Sequence, residues 1–170
     1  MALDIRDSTA SEHDQILALY PEAFPEEDLT DLVRALLGRE DVLSLTAWFE
    51  GVLSGHALFT TCTVTGSDQS AALLGPLCVA PSAQRQGVGR ALIEDGAHRL
   101  TDLGVSTLLV LGDPAYYSRC GFDARSVIEA PYTLPEEWRD AWRMRALREH
   151  APTTGILQVP SPWRQTHLWR

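Results

Sequence analysis

At Val42 the hydrophobic pattern of the chain changes from a helical period to a period of two. Three runs with this alternation, Val42–Glu50, Val52–Val64 and Ala71–Val79, predict three consecutive strands. The connections at Glu50-Gly51 and at Gly66-Ser67-Asp68 are short and carry residues typical of hairpin turns. Because short hairpins join antiparallel neighbours, the three strands predict a sheet that is largely antiparallel.

Helical signals lie on both sides of these strands. Thr9-Ala10-Ser11-Glu12 predicts a capping box that opens a helix to about Tyr20, after which Pro21 and Pro25 predict a loop. A second helix is predicted from the N-cap Asp28 to Gly38. The remaining elements are predicted as a short strand within residues 1–7, a helix from about Gly87 to Leu103, and a buried strand, Ser106–Leu111.

The last third of the chain is less regular. In order, we expect a short helix at Ala115–Arg119, a strand starting at Phe122, a helix from Thr133-Leu134-Pro135-Glu136 to about Leu147, and a strand at Ile156–Val159. This order predicts a single α/β (α+β) domain over residues 1–170, with a mixed, mostly antiparallel central sheet flanked by helices. The core best supported by pattern spans about residues 3–125, and residues 126–170 complete the domain.

Charge and composition exclude several classes of function. The 23 acidic residues against 14 arginines give a net charge of −9 without any lysine, which argues against a nucleic-acid partner. No apolar stretch reaches the ~18 residues of a membrane helix, and the N-terminus lacks a signal peptide, so we expect a cytoplasmic protein. Three cysteines without a CxxC pair, and histidines without ligand spacing, predict neither disulfides nor a metal site.

The acids and the arginines are unevenly distributed along the chain. Residues 1–70 hold 13 acids and three arginines, whereas residues 71–170 hold 10 acids and 11 arginines. The first part therefore favours cations, and the second part is compatible with an anion site.

One anion-binding candidate is the turn between the strand that ends near Pro81 and the next helix. Gly87 and Gly89 would let a diphosphate approach the unpaired N–H groups at the helix start, while Arg85 and Arg90 add positive charge. Two alternatives remain open: a loop whose glycines only close a turn, and a dinucleotide site. A dinucleotide site would need a third glycine where Leu92 stands.

This stretch resembles the acyl-CoA motif of the GNAT superfamily of N-acetyltransferases, Gln/Arg-x-x-Gly-x-Gly/Ala after a strand, through Gln84, Gly87 and Gly89. The segment Tyr116-Tyr117-Ser118-Arg119-Cys120-Gly121-Phe122 is similar to the family's aromatic-Tyr-x-x-x-Gly-Phe segment. The resemblance covers about Leu45 to Phe122. It implies the GNAT fold and transfer of an acetyl group from acetyl-CoA, without a metal, to a primary amine of a small molecule or peptide. The implied mechanism is direct attack in a ternary complex.

The resemblance also implies roles for individual residues. Tyr117 would be the general acid for the CoA thiolate, which is chemically reasonable because a phenol and a thiol have nearby pKa values, about 10 and about 8.5. A backbone N–H near Val79 would stabilise the oxyanion. The pantetheine arm would meet Leu77, Cys78 and Val79, and the motif that binds the diphosphate would comprise Gln84, Arg85, Gln86, Gly87, Val88, Gly89 and Arg90.

The sequence does not fix the roles of several further residues. Val110 stands where many family members carry Asn, and Asp113 is expected to cap the short helix. His56 either faces the cleft as a base or is a satisfied strand histidine. The acidic candidates for the base are Glu22, Glu26, Glu27 and Asp28, each of which is otherwise a solvated carboxylate.

Cys78 and Cys120 are expected to be packing residues, since neither has a neighbouring histidine. The tryptophans of the tail either line an acceptor pocket or pack the core. The alternative function is a non-catalytic acyl-CoA-binding module, which would keep the cofactor site and lack turnover. A homodimer is compatible with either function.

Overall fold

The computed structural model describes residues 2–124, 127–149 and 153–170. Contacts between Cα atoms divide the chain into two compact units. The first unit comprises Met1–Phe59 and Gly75–Gly96, and the second unit comprises Thr60–Leu74 and Ala97–Arg170. Two strands and one helix pass from one unit into the other, so each unit is made of segments that are distant in the sequence.

The first unit contains the N-terminal strand, two helices and parts of the central strands. In chain order its elements are β1 (Leu3–Asp7), α1 (His13–Ala23), α2 (Thr30–Leu36), β2 (Val42–Phe49), the first part of β3 (Val52–Val64), the last part of β4 (Ala71–Val79) and the first part of α3 (Val88–Asp102). All lie within a few residues of their predicted positions. The Thr9 N–H donates to Glu12 Oε1 at 2.9 Å, which confirms the capping box ahead of α1.

One helix boundary in this unit differs from the prediction. α1 continues through Pro21 to Ala23 instead of ending at about Tyr20. A proline removes one backbone donor from a helix. The loss is tolerated here because Pro21 lies in the last turn, where the Phe24 N–H still donates to the Tyr20 carbonyl oxygen at 2.8 Å.

The second unit holds the rest of β3, β4 and α3 together with the C-terminal elements. These are β5 (Thr107–Leu111), α4 (Pro114–Arg119), β6 (Ile128–Glu129), β7 (Trp142–Ala146) and β8 (Gly155–Gln158). Leu108 and Leu109 of β5 are fully buried, as its continuous apolar sequence predicts. Among the described residues, no helix is both long and apolar enough to span a bilayer.

The strands pair in the order β1-β2-β3-β4-β5-β7, with β8 beside β3 and β6 beside β8. The pairs β1–β2, β3–β8 and β5–β7 are antiparallel. Connections of a few residues make β2–β3 and β3–β4 antiparallel as well. Parallel pairing occurs between β4 and β5, from Ala71↔Thr107 to Leu74↔Val110, and between β6 and β8. The predicted fold class, a mixed and mostly antiparallel sheet flanked by helices, is confirmed.

The predicted helix from Thr133 to about Leu147 is wrong. Its start signal produces only a 3-10 helix, Glu136–Ala141, after which β7 pairs along its whole length with β5. In the sequence Trp142-Arg143-Met144-Arg145-Ala146, apolar and arginine residues alternate with the period of a strand. β5 is an apolar strand that needs hydrogen-bond partners at its edge, and this pairing outweighs local helix preference.

The strand predicted to start at Phe122 is reduced to an isolated bridge between Asp123 and Met144. Residues 125 and 126, over which that strand would continue, lie outside the described residues. The short β6 follows at Ile128–Glu129.

Three tail tryptophans form an aromatic cluster within the second unit. The ring centroid of Trp169 lies 5.8 Å from that of Trp142 and 6.0 Å from that of Trp163. The indole N–H of Trp142 donates to Ile128 O at 2.8 Å, that of Trp163 to Thr60 Oγ1 at 3.1 Å, and that of Trp169 to Trp163 O at 3.0 Å. All three side chains are buried with their donors satisfied, so they pack the core of this unit.

Candidate active site

The end of β4 has a backbone edge that β5 does not cover. The β4–β5 register ends at Leu74↔Val110, whereas β4 continues to Val79. At its other edge, the Ala80 N–H donates to the Ser54 carbonyl oxygen of β3 at 2.8 Å. Because backbone groups alternate in direction along a strand, those of Leu77 and Val79 point away from β3. This edge is therefore able to pair with an extended ligand.

Cys78 lies between these two residues and has a buried side chain. Burial raises the pKa of its thiol to about 12, against a smaller opposing effect of the Tyr20 hydroxyl. A thiol with this pKa stays protonated near neutral pH and is a poor nucleophile. Cys120 is buried too, with 4% of its surface exposed. Both cysteines are packing residues, as expected.

The turn between β4 and α3 exposes backbone donors. Arg85 and Gly87 have φ angles of +63° and +84°. The first helical hydrogen bond after the turn runs from the Ala91 N–H to the Gly87 carbonyl oxygen at 3.0 Å, so the N–H groups of residues 88–90 have no partner within the helix. These donors and the positive end of the α3 dipole form an arrangement that binds phosphate.

Side chains around the turn shape it and add charge. Gln84 Nε2 donates to the Val79 carbonyl oxygen at 3.3 Å, and Gln86 Nε2 donates to the Ser82 carbonyl oxygen at 3.3 Å. Arg85 and Arg90 are exposed. A Cβ atom at Gly87 would meet nothing within 4 Å, so its positive φ, and not crowding, favours glycine there.

A second glycine, in β3, allows the start of α3 to pack closely on the sheet. A Cβ atom at Gly55 of β3 would lie 2.8 Å from Val88 Cγ1, 3.1 Å from the Cys78 carbonyl oxygen and 3.1 Å from Leu92 Cδ1. Gly55 therefore permits close contact between β3 and the first turn of α3. The sequence alone does not identify Gly55, because only the packed structure shows what approaches it.

Tyr117 lies on α4 in the second unit. Asp113 Oδ1 accepts a hydrogen bond from the Ala115 N–H at 3.1 Å, which confirms the predicted helix cap. The Tyr117 ring packs edge-to-face on Tyr116 and on Phe122, with centroid distances of 5.0 and 5.6 Å. Burial raises the pKa of Tyr117 above its ordinary range, so the phenol is protonated near neutral pH.

The Tyr117 ring also lies directly over Gly112, where any Cβ atom would collide with it. Among the described residues, no hydrogen-bond partner is present for the Tyr117 hydroxyl. A protonated and unpaired hydroxyl has the chemistry of a proton donor. Aromatic packing alone would also account for the ring contacts, and the acid role of Tyr117 stays a prediction.

His56 is a satisfied strand histidine. It is fully buried, its Nδ1 lies 2.7 Å from the Tyr20 hydroxyl, and its Nε2 lies 2.8 Å from Ser44 Oγ. Ser8 Oγ donates in turn to Ser44 Oγ at 2.7 Å. Burial, with a smaller effect from His13, lowers the pKa of His56 to about 3, so the ring is neutral at physiological pH. Both ring nitrogens are occupied, which leaves no free base at this position.

The four acidic candidates for the base lie in the α1–α2 region and are exposed. Glu26, Glu27 and Asp28 line an open cavity of about 610 Å³, together with Phe24 and its neighbours. Asp28 Oδ1 accepts a hydrogen bond from the Thr30 N–H at 3.0 Å, so Asp28 caps the start of α2. This geometry does not single out one carboxylate as the base. Within the described residues, no group of His, Cys, Asp and Glu is arranged to hold a metal ion.

Comparison with known proteins tests the resemblance carried by the turn and by the tyrosine segment. The model of the Acetyltransferase (GNAT) family matches residues 13–122, a range that includes both. The N-acetyltransferase YjhQ of Escherichia coli (strain K12), itself uncharacterized, is 39% identical over 149 residues, which are 82% of each chain.

Two solved structures have the same fold. The crystal structure of the GNAT family N-acetyltransferase YhbS from Escherichia coli, in complex with CoA, gives a TM-score of 0.85 at 25% identity and covers 96% of this chain and 92% of that one. A GNAT family acetyltransferase from Brucella melitensis, in complex with acetyl-CoA, gives a TM-score of 0.76 at 25% identity over 95% and 98% of the two chains. Sequence and fold thus agree, and the chain belongs to the GNAT family of acetyltransferases and is an acyltransferase.

Proposed function

We propose that this acyltransferase moves the acetyl group of acetyl-CoA to a primary amine of a small molecule or peptide. The observation that carries the proposal is the exposed turn before α3, where the N–H groups of residues 88–90 have no partner within the helix and lie next to the open end of β4. The complexes of the Escherichia coli YhbS protein with CoA and of the Brucella protein with acetyl-CoA support the choice of cosubstrate.

The cosubstrate would be held mainly by backbone groups. The pantetheine arm carries amides, which pair with a strand edge as an added strand does. Leu77 and Val79 offer backbone groups at the open edge, while Cys78 packs inward between them. The diphosphate would bind the turn that comprises Gln84, Arg85, Gln86, Gly87, Val88, Gly89 and Arg90. With no lysine in the chain, the positive side-chain charge near the diphosphate comes from arginine.

The transfer is proposed to occur by direct attack in a ternary complex. The amine nitrogen attacks the thioester carbonyl carbon, and the backbone N–H of Val79 stabilises the oxyanion that forms. When the intermediate collapses, the carbon–sulfur bond breaks and Tyr117 donates its proton to the thiolate. The attacking nitrogen loses a proton to solvent, and the tyrosinate takes one back, so that the products are an amide and free CoA.

We propose a cationic acceptor. The carboxylates of Glu26, Glu27 and Asp28 and the ring of Phe24 surround the cavity in the α1–α2 loop. Carboxylates attract an ammonium group, and an aromatic ring adds a cation–π contribution. The excess of acids over the first 70 residues extends this negative potential beyond the cavity.

The experiment that tests this function is thiol release from acetyl-CoA across a panel of neutral amines, amino acids, polyamines and peptides. We expect turnover with amines, fastest with those that carry additional positive charge. The double change Glu26→Gln with Glu27→Gln should raise KM for cationic amines and leave KM for acetyl-CoA unchanged, because it removes charge only from the loop.

Matched changes of exposed acids outside the cavity, Asp14→Asn with Glu40→Gln, are the control and should leave both KM values unchanged. If no amine produces thiol release, the proposed acetyl transfer to amines is contradicted. Calorimetric binding of CoA in that case would support the alternative, a non-catalytic acyl-CoA-binding module.

Gly55 lies where β3 contacts the first turn of α3. We expect Gly55→Ala to raise KM for acetyl-CoA, because its Cβ atom displaces Val88 and with it the first turn of α3. Overpacking of this kind costs about 1–3 kcal/mol of unfolding free energy. Gly96→Ala is the control, since its Cβ atom would collide with the Phe59 ring further along the same helix. If both variants lose stability and have the same KM for acetyl-CoA, Gly55 does not control the position of the turn before α3.

A further inference from the structure

The strand that the sequence analysis missed, β7, runs beside the segment that follows Tyr117. Arg145 Nη1 donates to the Cys120 carbonyl oxygen at 3.2 Å, and Arg143 Nη1 donates to the Phe122 carbonyl oxygen at 3.2 Å. Between them, the backbone of Met144 exchanges two hydrogen bonds with Asp123, at 2.7 and 2.9 Å. Three consecutive residues of β7 thus hold residues 120–123.

The segment held in this way sets the position of Tyr117. The N–H groups of Cys120 and Phe122 both donate to the Tyr117 carbonyl oxygen at 3.0 Å. The Phe122 ring packs on the Tyr117 ring, and Gly112 lies close against the Tyr117 ring as well. Both the backbone and the ring of Tyr117 therefore depend on where residues 120–122 lie.

Arg145 contacts this turn at its tightest point. Gly121 has a φ of +86°, and a Cβ atom placed there would lie 3.6 Å from Arg145 Cδ. The arginine stem therefore packs along the turn while its guanidinium binds the Cys120 carbonyl oxygen. A lysine at this position would offer a point charge on a flexible stem, without the planar and directional donors of a guanidinium.

We infer that Arg145 is a positioning residue for Tyr117: by holding the Cys120–Phe122 turn, it places the Tyr117 hydroxyl for proton transfer to the leaving thiolate. The inference rests on the proposed role of Tyr117 as the acid. A general acid acts only within hydrogen-bond reach of its target, and a misplacement of about 1 Å is enough to lower a rate by about 10²-fold.

The test is a double-mutant cycle of Arg145→Met and Tyr117→Phe, read as kcat and KM of thiol release. Arg145→Met should lower kcat by about 10- to 100-fold with little change in KM for acetyl-CoA. The same substitution in the Tyr117→Phe background should change kcat very little, because no proton donor is left to misplace. Arg145→Lys should recover part of kcat, and it supplies a second variant if Arg145→Met does not fold.

Arg148→Met is the matched control. Arg148 Nη2 also donates to a backbone carbonyl oxygen, that of Gly104 at 2.9 Å, outside the tyrosine segment. Its removal should leave kcat unchanged. Equal losses from Arg145→Met with and without the Tyr117 hydroxyl would overturn the positioning role and leave the acid role intact. An unchanged kcat in Tyr117→Phe alone would overturn the acid role, and the inference with it.

Discussion

Replacement of Tyr117 by phenylalanine should lower kcat for acetyl transfer by about 10²- to 10⁴-fold, the usual contribution of a general acid. The substitution removes the hydroxyl and keeps the ring, so the edge-to-face contacts with Tyr116 and Phe122 are retained. We therefore expect KM for acetyl-CoA and the thermal stability to change little. Steady-state thiol release with saturating amine measures the effect.

Tyr116→Phe is the control, because it removes a hydroxyl from the adjacent residue of the same helix. Its kcat should stay close to that of the unaltered protein. Burial raises the pKa of Tyr117 above its ordinary value and so keeps the phenol protonated. The kcat of the unaltered protein should therefore not fall with rising pH until the pH exceeds the ordinary tyrosine pKa. Full activity of Tyr117→Phe would show that the side chain serves packing only.

Acidification from pH 6.5 toward pH 3 should destabilise the fold through His56 by about 1.4 kcal/mol per pH unit. The unfolded chain binds a proton on this histidine below about pH 6.5, whereas the folded protein holds the ring neutral until about pH 3. The unfolded state binds more protons in this window, so the free energy of unfolding falls as the pH falls. Above the window His56 is neutral in both states and adds no pH dependence.

Urea unfolding at a series of pH values, with the unaltered protein and His56→Gln, isolates this contribution. Between about pH 3 and pH 6.5, the difference in unfolding free energy between the two proteins should change with pH as expected for one bound proton. Above pH 6.5 this difference should be constant. At neutral pH we expect the variant to be less stable by about 1–3 kcal/mol, because Tyr20 and Ser44 lose a well-placed partner. If the stability curve of His56→Gln runs parallel to that of the unaltered protein, the His56 ring titrates alike in the folded and unfolded states, which would contradict the prediction.

Local patterns account for the parts of the molecule that were predicted correctly. β2, β3 and β4 follow from a period of two between short turns, and the start of α3 follows from Gly87, whose positive φ few other residues adopt. The Asp113 cap is equally local, since donor and acceptor are two residues apart. In each case the information needed lies within a few residues of the feature.

The features that were missed depend on contacts between distant residues. That His56 is a satisfied strand histidine was one of the two predictions, but its contact with Tyr20, 36 positions away, was not predicted; nor was that of Arg145 with Cys120, 25 positions away. The alternation over Trp142–Ala146 is a strand signal of only five residues, and nothing near it indicates that β5 lies beside it, so the helix signal at Pro135-Glu136 was extended too far. Gly55 and Gly112 are required by the side chains that approach them, which a single sequence does not reveal.

The open end of β4 also bears on how the protein avoids unwanted association. An uncovered strand edge is a template on which a strand of another chain can add, the first step toward aggregation. Here the uncovered stretch covers only residues 75–79, Gln84 already occupies the Val79 carbonyl oxygen, and Pro81 follows within two residues. Proline has no backbone N–H to donate to an added strand. This edge is therefore short, which limits how many hydrogen bonds an added strand could form with it.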